Sequence, residues 1–348
     1  MLRLPKFELR EPSTLAEATA LLAEHGANAL IVAGGTDLVP NMKHRLFEPK
    51  VVVSLARIAQ LAGVQRATDG ALSIGAMTRI ADVAAHPAVA ETAPALSQAA
   101  SLIAGPQLRT MGTIGGNVML DTRCQWYNQT YFWRKALGFC LKKDGTLCHV
   151  VESGRKCVAA ASNDTAPALM TLDARLEFAS AAGTRELAID DLWRADGIVN
   201  KRVRPGEILT RVLVPAPRAG HRGAYGKLRE RGSIDFPLFG VAVRLDVDPD
   251  GRIADADAAC VALAARPLHL KGVADELVGE PADGPDFDAA ARRVAARAHK
   301  QCRPLENIPG DAAWRHEMVP VYVRRTLAAA AAGTGPVHHL DLRVLAGT

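Results

Sequence analysis

No apolar run in this 348-residue chain approaches the ~20 residues that a membrane span requires, and the longest candidate, residues 327–332, is far too short. The first ten residues alternate charge around no apolar core, so no secretory signal is read and the cytoplasm is the expected compartment. Walker, H-E-x-x-H and G-x-S-x-G patterns are missing, and so is a strict G-x-G-x-x-G. The ten histidines show no metal-ligand spacing. There is no long basic stripe and no recognisable nucleic-acid module, so neither nucleic acid nor membrane is an expected partner. Cysteines number six, none in a short C-x2–4-C knuckle, and aromatics make up only 5% of the chain.

What is scarce overall is concentrated in one place. Between Gly112 and Asp164 lie four of the six cysteines and six of the 16 aromatics. Cys124, Cys140, Cys148 and Cys157 follow the pattern C-x15-C-x7-C-x8-C. Disulfides are the weakest explanation, because thiols in the cytoplasm stay reduced. Structural zinc favours short knuckles, whereas an iron–sulfur cluster also takes four thiolates and tolerates wider spacing when a loop wraps it. The residues alone leave cluster, zinc and inert thiols open, in that order. Trp126, Tyr127, Tyr131, Phe132, Trp133 and Phe139 would shield a cluster from water, or would form the small core that any such loop needs. Residues 121–157 carry seven Lys or Arg against three acids, nearly all of the chain's +5 excess. That charge offsets thiolates, receives an acidic protein, or is a solvated face.

Outside this insertion the chain reads as a nucleotide-binding frame. A capping box at Thr14–Glu17 opens a helix that stops at Gly26. A buried strand over 29–33 empties into Gly34-Gly35-Thr36-Asp37, after which 38–45 reads as helix. This turn could offer backbone N–H groups to a pyrophosphate, with Asp37 capping the helix behind it. A second strand covers 51–54, a hairpin 64–74, and helices 78–85 and 94–103. Thr113-Ile114-Gly115-Gly116-Asn117 is a second Gly-Gly turn, and two such turns fit one extended dinucleotide gripped from two sides. Asp164 either accepts hydrogen bonds from a ribose or adenine, or caps the helix over 164–170. Strands follow over 174–178 and 207–214, then a Pro/Gly-rich segment, 215–220, that marks the domain boundary. Beyond it, strands at 224–229, 236–246 and 253–263 precede helices at 267–278, 287–298 and 314–332, an α+β module. Cys260 and Cys302 read as buried thiols.

Val32-Ala33-Gly34-Gly35-Thr36-Asp37-Leu38 and Thr113-Ile114-Gly115-Gly116-Asn117 resemble the two FAD-binding turns of the molybdenum hydroxylase flavoprotein subunits. Lys227 through Asp235-Phe236-Pro237 and Gly240-Val241-Ala242 is similar to the start of that family's C-terminal domain. The cysteine-rich insertion resembles that of one subgroup, the β subunit of 4-hydroxybenzoyl-CoA reductase, where four cysteines hold an additional 4Fe–4S cluster. The resemblance implies an α+β protein. Residues 1–217 would form a vanillyl-alcohol-oxidase/PCMH-type FAD domain of two α/β subdomains, with insertion 119–160. Residues 218–348 would form a C-terminal domain of the CO dehydrogenase flavoprotein type.

It implies FAD on Val32, Ala33, Gly34, Gly35, Thr36, Asp37, Leu38, Thr113, Gly115, Gly116, Asn117, Asp164 and Lys227, and a 4Fe–4S cluster on Cys124, Cys140, Cys148 and Cys157. Its partners would be a small subunit with two 2Fe–2S clusters and a large molybdopterin subunit, in a dimer of heterotrimers. Electrons would pass from ferredoxin through 4Fe–4S and FAD to those partners, for reductive dehydroxylation of 4-hydroxybenzoyl-CoA to benzoyl-CoA. No catalytic residue is expected in this chain. Two alternatives stand beside this reading: an FAD subunit of an oxidative molybdenum hydroxylase, and a zinc-stapled nucleotide-binding scaffold.

Overall fold

The computed structural model describes residues 2–338, which are organised by three sheets. The first is small and parallel: β1 (Glu8–Arg10), β2 (Ala29–Val32) and β3 (Val51–Ser54) lie in the order β1-β3-β2. Val51, Val52 and Val53 are all buried, as a central parallel strand requires. Helix α1 (Leu15–His25) covers the sheet through Ala18 and Leu22. Its capping box forms as expected, with the Glu17 N–H donating to Thr14 Oγ1 at 3.2 Å and the Thr14 N–H to the Glu17 carboxylate at 3.3 Å. Helix α2 (Leu38–Lys43) follows the first Gly-Gly turn.

The second sheet is antiparallel: β4 (Val64–Arg66), β5 (Leu72–Gly75), β6 (Arg175–Ser180), β7 (Gly183–Ala188) and β8 (Ile208–Val214), in the order β4-β5-β8-β6-β7. The expected hairpin is β4–β5. Between β5 and the insertion run α3 (Ile80–Ala85), α4 (Pro87–Thr92), α5 (Pro94–Ser101), α6 (Pro106–Arg109) and α7 (Ile114–Val118). Three of them open on proline, whose missing N–H costs nothing at a first helical position. The insertion contributes α8 (Tyr131–Leu137), and α9 (Thr165–Thr171) follows it.

The third sheet holds β9 (His221–Leu228), β10 (Phe239–Val247), β11 (Ile253–Val261), β12 (Leu268–His269) and β13 (Val337–His338), in the order β12-β11-β10-β9-β13. Every residue of β10 is buried. Val241, Val243 and Leu245 share a core with α10 (Val273–Leu277), α11 (Gly284–Gln301) and α12 (Ala312–Ala331), while Ala242 shares one with α5 and α9. The helix expected over 267–278 is shorter than its pattern suggested. Its first residues pair with β11 as β12, and Gly272 at φ +80° turns the chain before α10 begins.

Candidate cofactor site

The two Gly-rich segments touch. A Cβ added to Gly34 would lie 1.8 Å from the Met111 carbonyl oxygen, so only glycine lets these strands of backbone meet. Gly35 sits at φ +72°, a left-handed conformation that carries the chain from β2 into α2. Among the described residues, the N–H groups of Gly34, Gly35, Thr36 and Asp37 have no protein acceptor, whereas those of Ile114, Gly115, Gly116 and Asn117 do. There the Ile114 and Gly115 N–H groups donate to the Thr78 and Ala76 carbonyls at 3.0 and 2.8 Å, and the Gly116 N–H to Thr113 Oγ1 at 3.0 Å. The first turn therefore has free donors for a phosphate. The second is the N-terminus of a short helix in which the Ile114, Gly115, Gly116 and Asn117 N–H groups already have acceptors in the protein. Val32 ends β2 and Leu38 opens α2, with Ala33 between β2 and Gly34.

Asn117, Asp164 and Lys227, all expected site residues, use their side chains inside the protein. Asn117 Oδ1 accepts from the Thr165 N–H at 3.1 Å and from Thr165 Oγ1 at 2.6 Å, fastening the second turn to α9. Asp164 and Lys227 are fully buried and paired at 3.1 Å, and Tyr225 donates its hydroxyl to the same carboxylate oxygen at 2.9 Å. Burial pushes the Asp164 carboxyl up, and Lys227 pulls it back down. Asp164 stands at the N-cap of α9 without capping it. Its contacts join α9 to β9, so its side chain and that of Lys227 act as internal struts between these elements. Asp37 does not cap α2 either. Its carboxylate lies 2.8 Å from Arg123, and burial holds it above the usual carboxylate range despite that partner.

The insertion closes on itself. Arg123 and Ala160 exchange N–H···O bonds of 2.8 and 2.7 Å, an antiparallel bridge at its neck. Inside the loop, Cys124, Cys140, Cys148 and Cys157 are each buried with 7–9% exposure, and all four line one small cavity. Trp126, Tyr127, His149 and Val150 also line it. Burial pushes the Cys124 thiol up to about 12, and the other three sulfurs add to the rise. No three of these sulfurs lie within 4.8 Å of one another, since the only such ligand group among the described residues is elsewhere.

The loop is docked against the segment that follows α2. Leu46 and Phe47, just beyond α2, pack with Cys124, Cys140 and Cys157. The buried Arg134 donates to the His44 and Arg45 carbonyls at 3.3 and 3.1 Å. Lys142 is also internal: its side chain is 5% exposed, 2.9 Å from Asp121 and 2.8 Å from the Gly197 carbonyl. That removes it from the exposed basic face, where Lys135, Arg155 and Lys156 remain. Sequence reasoning missed Arg123, Arg134, Lys142 and Asn307, because their partners lie 20 to 149 positions away. Cys260 and Cys302 are buried as expected, and the structure adds that they touch each other.

Comparison with known proteins agrees with this architecture. The family described as the FAD binding domain in molybdopterin dehydrogenase matches residues 5–217, and that of the CO dehydrogenase flavoprotein C-terminal domain matches residues 224–330. The carbon monoxide dehydrogenase medium chain of Afipia carboxidovorans is 31% identical over 327 residues, 94% of this chain and 97% of that one. The aldehyde oxidoreductase FAD-binding subunit PaoB of Escherichia coli is 33% identical over 257 residues, 71% of this chain and 80% of that one. Among solved structures, reconstituted CO dehydrogenase from Oligotropha carboxidovorans superposes with a TM-score of 0.77 at 28% identity, covering 95% of this chain and 100% of that one. With the free donors of the first turn already in place, this chain belongs to the FAD-binding subunits of the molybdenum hydroxylase family.

Proposed function

We propose that this chain is the FAD-bearing electron-transfer subunit of a molybdenum-dependent dehydrogenase or oxidoreductase complex, and that Cys124, Cys140, Cys148 and Cys157 hold a 4Fe–4S cluster within it. One observation carries the cluster: four buried thiols converge on one cavity, yet no three sulfurs lie within 4.8 Å. A single tetrahedral zinc at Zn–S of about 2.3 Å needs sulfurs about 3.8 Å apart. The wider arrangement favours a multi-iron centre over the zinc-stapled scaffold. When bound, FAD exchanges one or two electrons and such a cluster exchanges one, so together they match one-electron carriers to two-electron chemistry.

The chain's own residues have defined duties in this reading. Gly34 through Asp37 offer unspent N–H groups to the FAD pyrophosphate, Gly35 shapes the turn, and Thr113 and Asn117 fix the second segment against it. Burial pushes the Cys157 thiol up, and the Lys142 ammonium works against that rise. No residue is assigned a proton-transfer role. Substrate chemistry belongs to partner subunits: a large molybdopterin subunit and a small one with two 2Fe–2S clusters, assembled as a dimer of heterotrimers.

The similar proteins are named for oxidative work on carbon monoxide and aldehydes, which supports the oxidative direction. The filled four-cysteine insertion supports a second reading, a 4-hydroxybenzoyl-CoA reductase fed by ferredoxin. Anaerobic mixing of the purified complex separates them. Flavin bleaching by an aldehyde or N-heteroaromatic substrate is expected for the first. Bleaching by reduced ferredoxin, reversed by 4-hydroxybenzoyl-CoA, would replace it with the second. For the cluster itself, Cys148→Ser should lose iron and acid-labile sulfide while flavin stays bound, and Cys302→Ser should lose neither. A full complement of iron and sulfide in Cys148→Ser would overturn the ligand assignment.

A further inference from the structure

One cation is built into the wall of the four-cysteine cavity. Lys142 lines that cavity, and its side chain is only 5% exposed. Its ammonium lies 4.5 Å from the centre of the Tyr127 ring, which lines the same cavity. Asp121 at 2.9 Å and the Gly197 carbonyl at 2.8 Å hold it there. Gly197 in turn stands against Cys157. A Cβ on Gly197 would lie 2.7 Å from the Cys157 sulfur, and the Gly197 N–H donates to the Cys157 carbonyl at 2.8 Å. The residue that anchors the ammonium therefore also packs on a sulfur, and that sulfur accepts the Ala159 N–H at 3.4 Å.

The charges around Lys142 are not balanced at the cavity. Asp121 is not part of the wall and its side chain is 27% exposed, so the cation of this pair is the member that faces the sulfurs. Arg134 is buried too, but it donates to the His44 and Arg45 carbonyls and does not line the cavity. Lys135 is exposed, where water and salt screen its charge.

We infer that Lys142 sets the reduction potential of the centre held by Cys124, Cys140, Cys148 and Cys157, raising it through a fixed positive charge at the cavity wall. The inference rests on the cluster reading given above. Four thiolates make such a centre anionic, and one added electron makes it more so. A buried cation stabilises the more negative, reduced form, because little water is present to screen it. Net charge and hydrogen bonds at the sulfurs are among the quantities that set cluster potentials. Asp121 acts with the opposite sign from outside the wall.

The test is a dye-mediated redox titration of the purified protein with flavin and cluster bound, using dithionite as reductant and following the cluster by EPR. At a fixed solution potential, Lys142→Met should show a reduced-to-oxidised cluster ratio about tenfold below that of the unmodified protein, a shift of about 59 mV for a one-electron couple. Asp121→Asn should move the ratio upward. Lys135→Met removes a charge from the exposed side of the loop and should keep the ratio within about twofold. If Lys142→Met cannot retain iron, Asp121→Asn still decides, since it preserves the ammonium and the side-chain shape. An iron-replete Lys142→Met with an unchanged ratio, an Asp121→Asn ratio unmoved or lowered, or an equal shift in Lys135→Met would each overturn the inference and leave the cluster standing. Unmodified protein with neither iron nor acid-labile sulfide would overturn the cluster reading, and this inference with it.

Discussion

Gly34 and Gly116 share a residue type but differ in what surrounds them. A Cβ on Gly34 would strike the Met111 carbonyl at 1.8 Å, while one on Gly116 would meet only Thr113 Oγ1 at 3.1 Å. Gly34→Ala should therefore push the two turns apart and yield protein depleted in flavin, and Gly116→Ala should retain most of it. Flavin-to-protein absorbance ratios measure both. Lys142 offers a second test at this scale. Its ammonium serves Asp121, Thr122 and the Gly197 carbonyl from an almost fully buried position. Lys142→Met would remove the one ammonium that serves these acceptors and leave Asp121 and the Gly197 carbonyl only their bonds from Thr122, at a cost of about 3 kcal/mol, read from urea unfolding midpoints. The sequence showed Gly34, Gly35 and the cysteines because turn chemistry and thiol chemistry are local. It did not show that Ile114 and Gly115 donate to Thr78 and Ala76, or that His299 meets His316, because those encounters are made by the fold.

Elements marked by local rules were readable, such as α1 with its capping box and the β4–β5 hairpin. The helix read across 267–278 failed because β11 offers an edge that captures Leu268 and His269 as β12. That capture creates a pH-sensitive tie. His269 lies 3.1 Å from Asp190 and 2.9 Å from Asp257, joining the third sheet to the segment after β7. The hydrogen bond His269 donates to Asp190, then that to Asp257, raises His269 from 6.5 to about 10. The folded state thus holds a proton that the unfolded chain releases above its own pKa. The stabilisation is complete below 6.5 and is lost as pH rises through about 10. His269→Gln should melt below the unmodified protein at pH 6, with the gap closing by pH 10. A gap that stays constant across this range would show that the ion pairs contribute nothing.

At the scale of the whole molecule, the insertion is a graft with a narrow stem. The exchange between Arg123 and Ala160 brings its ends together at bridge distance, so the frame does not need the loop to close. Replacing residues 124–159 by a short Gly/Ser linker should leave a folded protein that binds flavin and contains no iron. The exposed face left at Leu46 and the lost Asn307 contacts should lower its melting temperature. Flavin and iron stoichiometry on one preparation decides this, and loss of both would mean that the frame depends on the loop. The stem's position was legible from where the cysteines begin and end. Its attachment to α2 through Arg134 was not, since nothing in a helical YFWRKAL stretch marks one arginine for burial.

Arg123 adjoins Cys124, pairs with Asp37 in the first turn, and stacks over Phe236 at 3.9 Å in the connection between β9 and β10. Three distant parts of the chain are thereby pinned at one side chain. On the proposed function, the gap between the two cofactor sites is set by a solid joint rather than by a tether that swings. Solvent drag has nothing to act on in such a joint. Electron passage between the sites should accordingly proceed at the same rate in buffer and in concentrated glycerol, while docking of an external redox protein slows in proportion to viscosity. Arg123→Ala should make the internal step viscosity-dependent as well, which rapid-mixing absorbance traces would register.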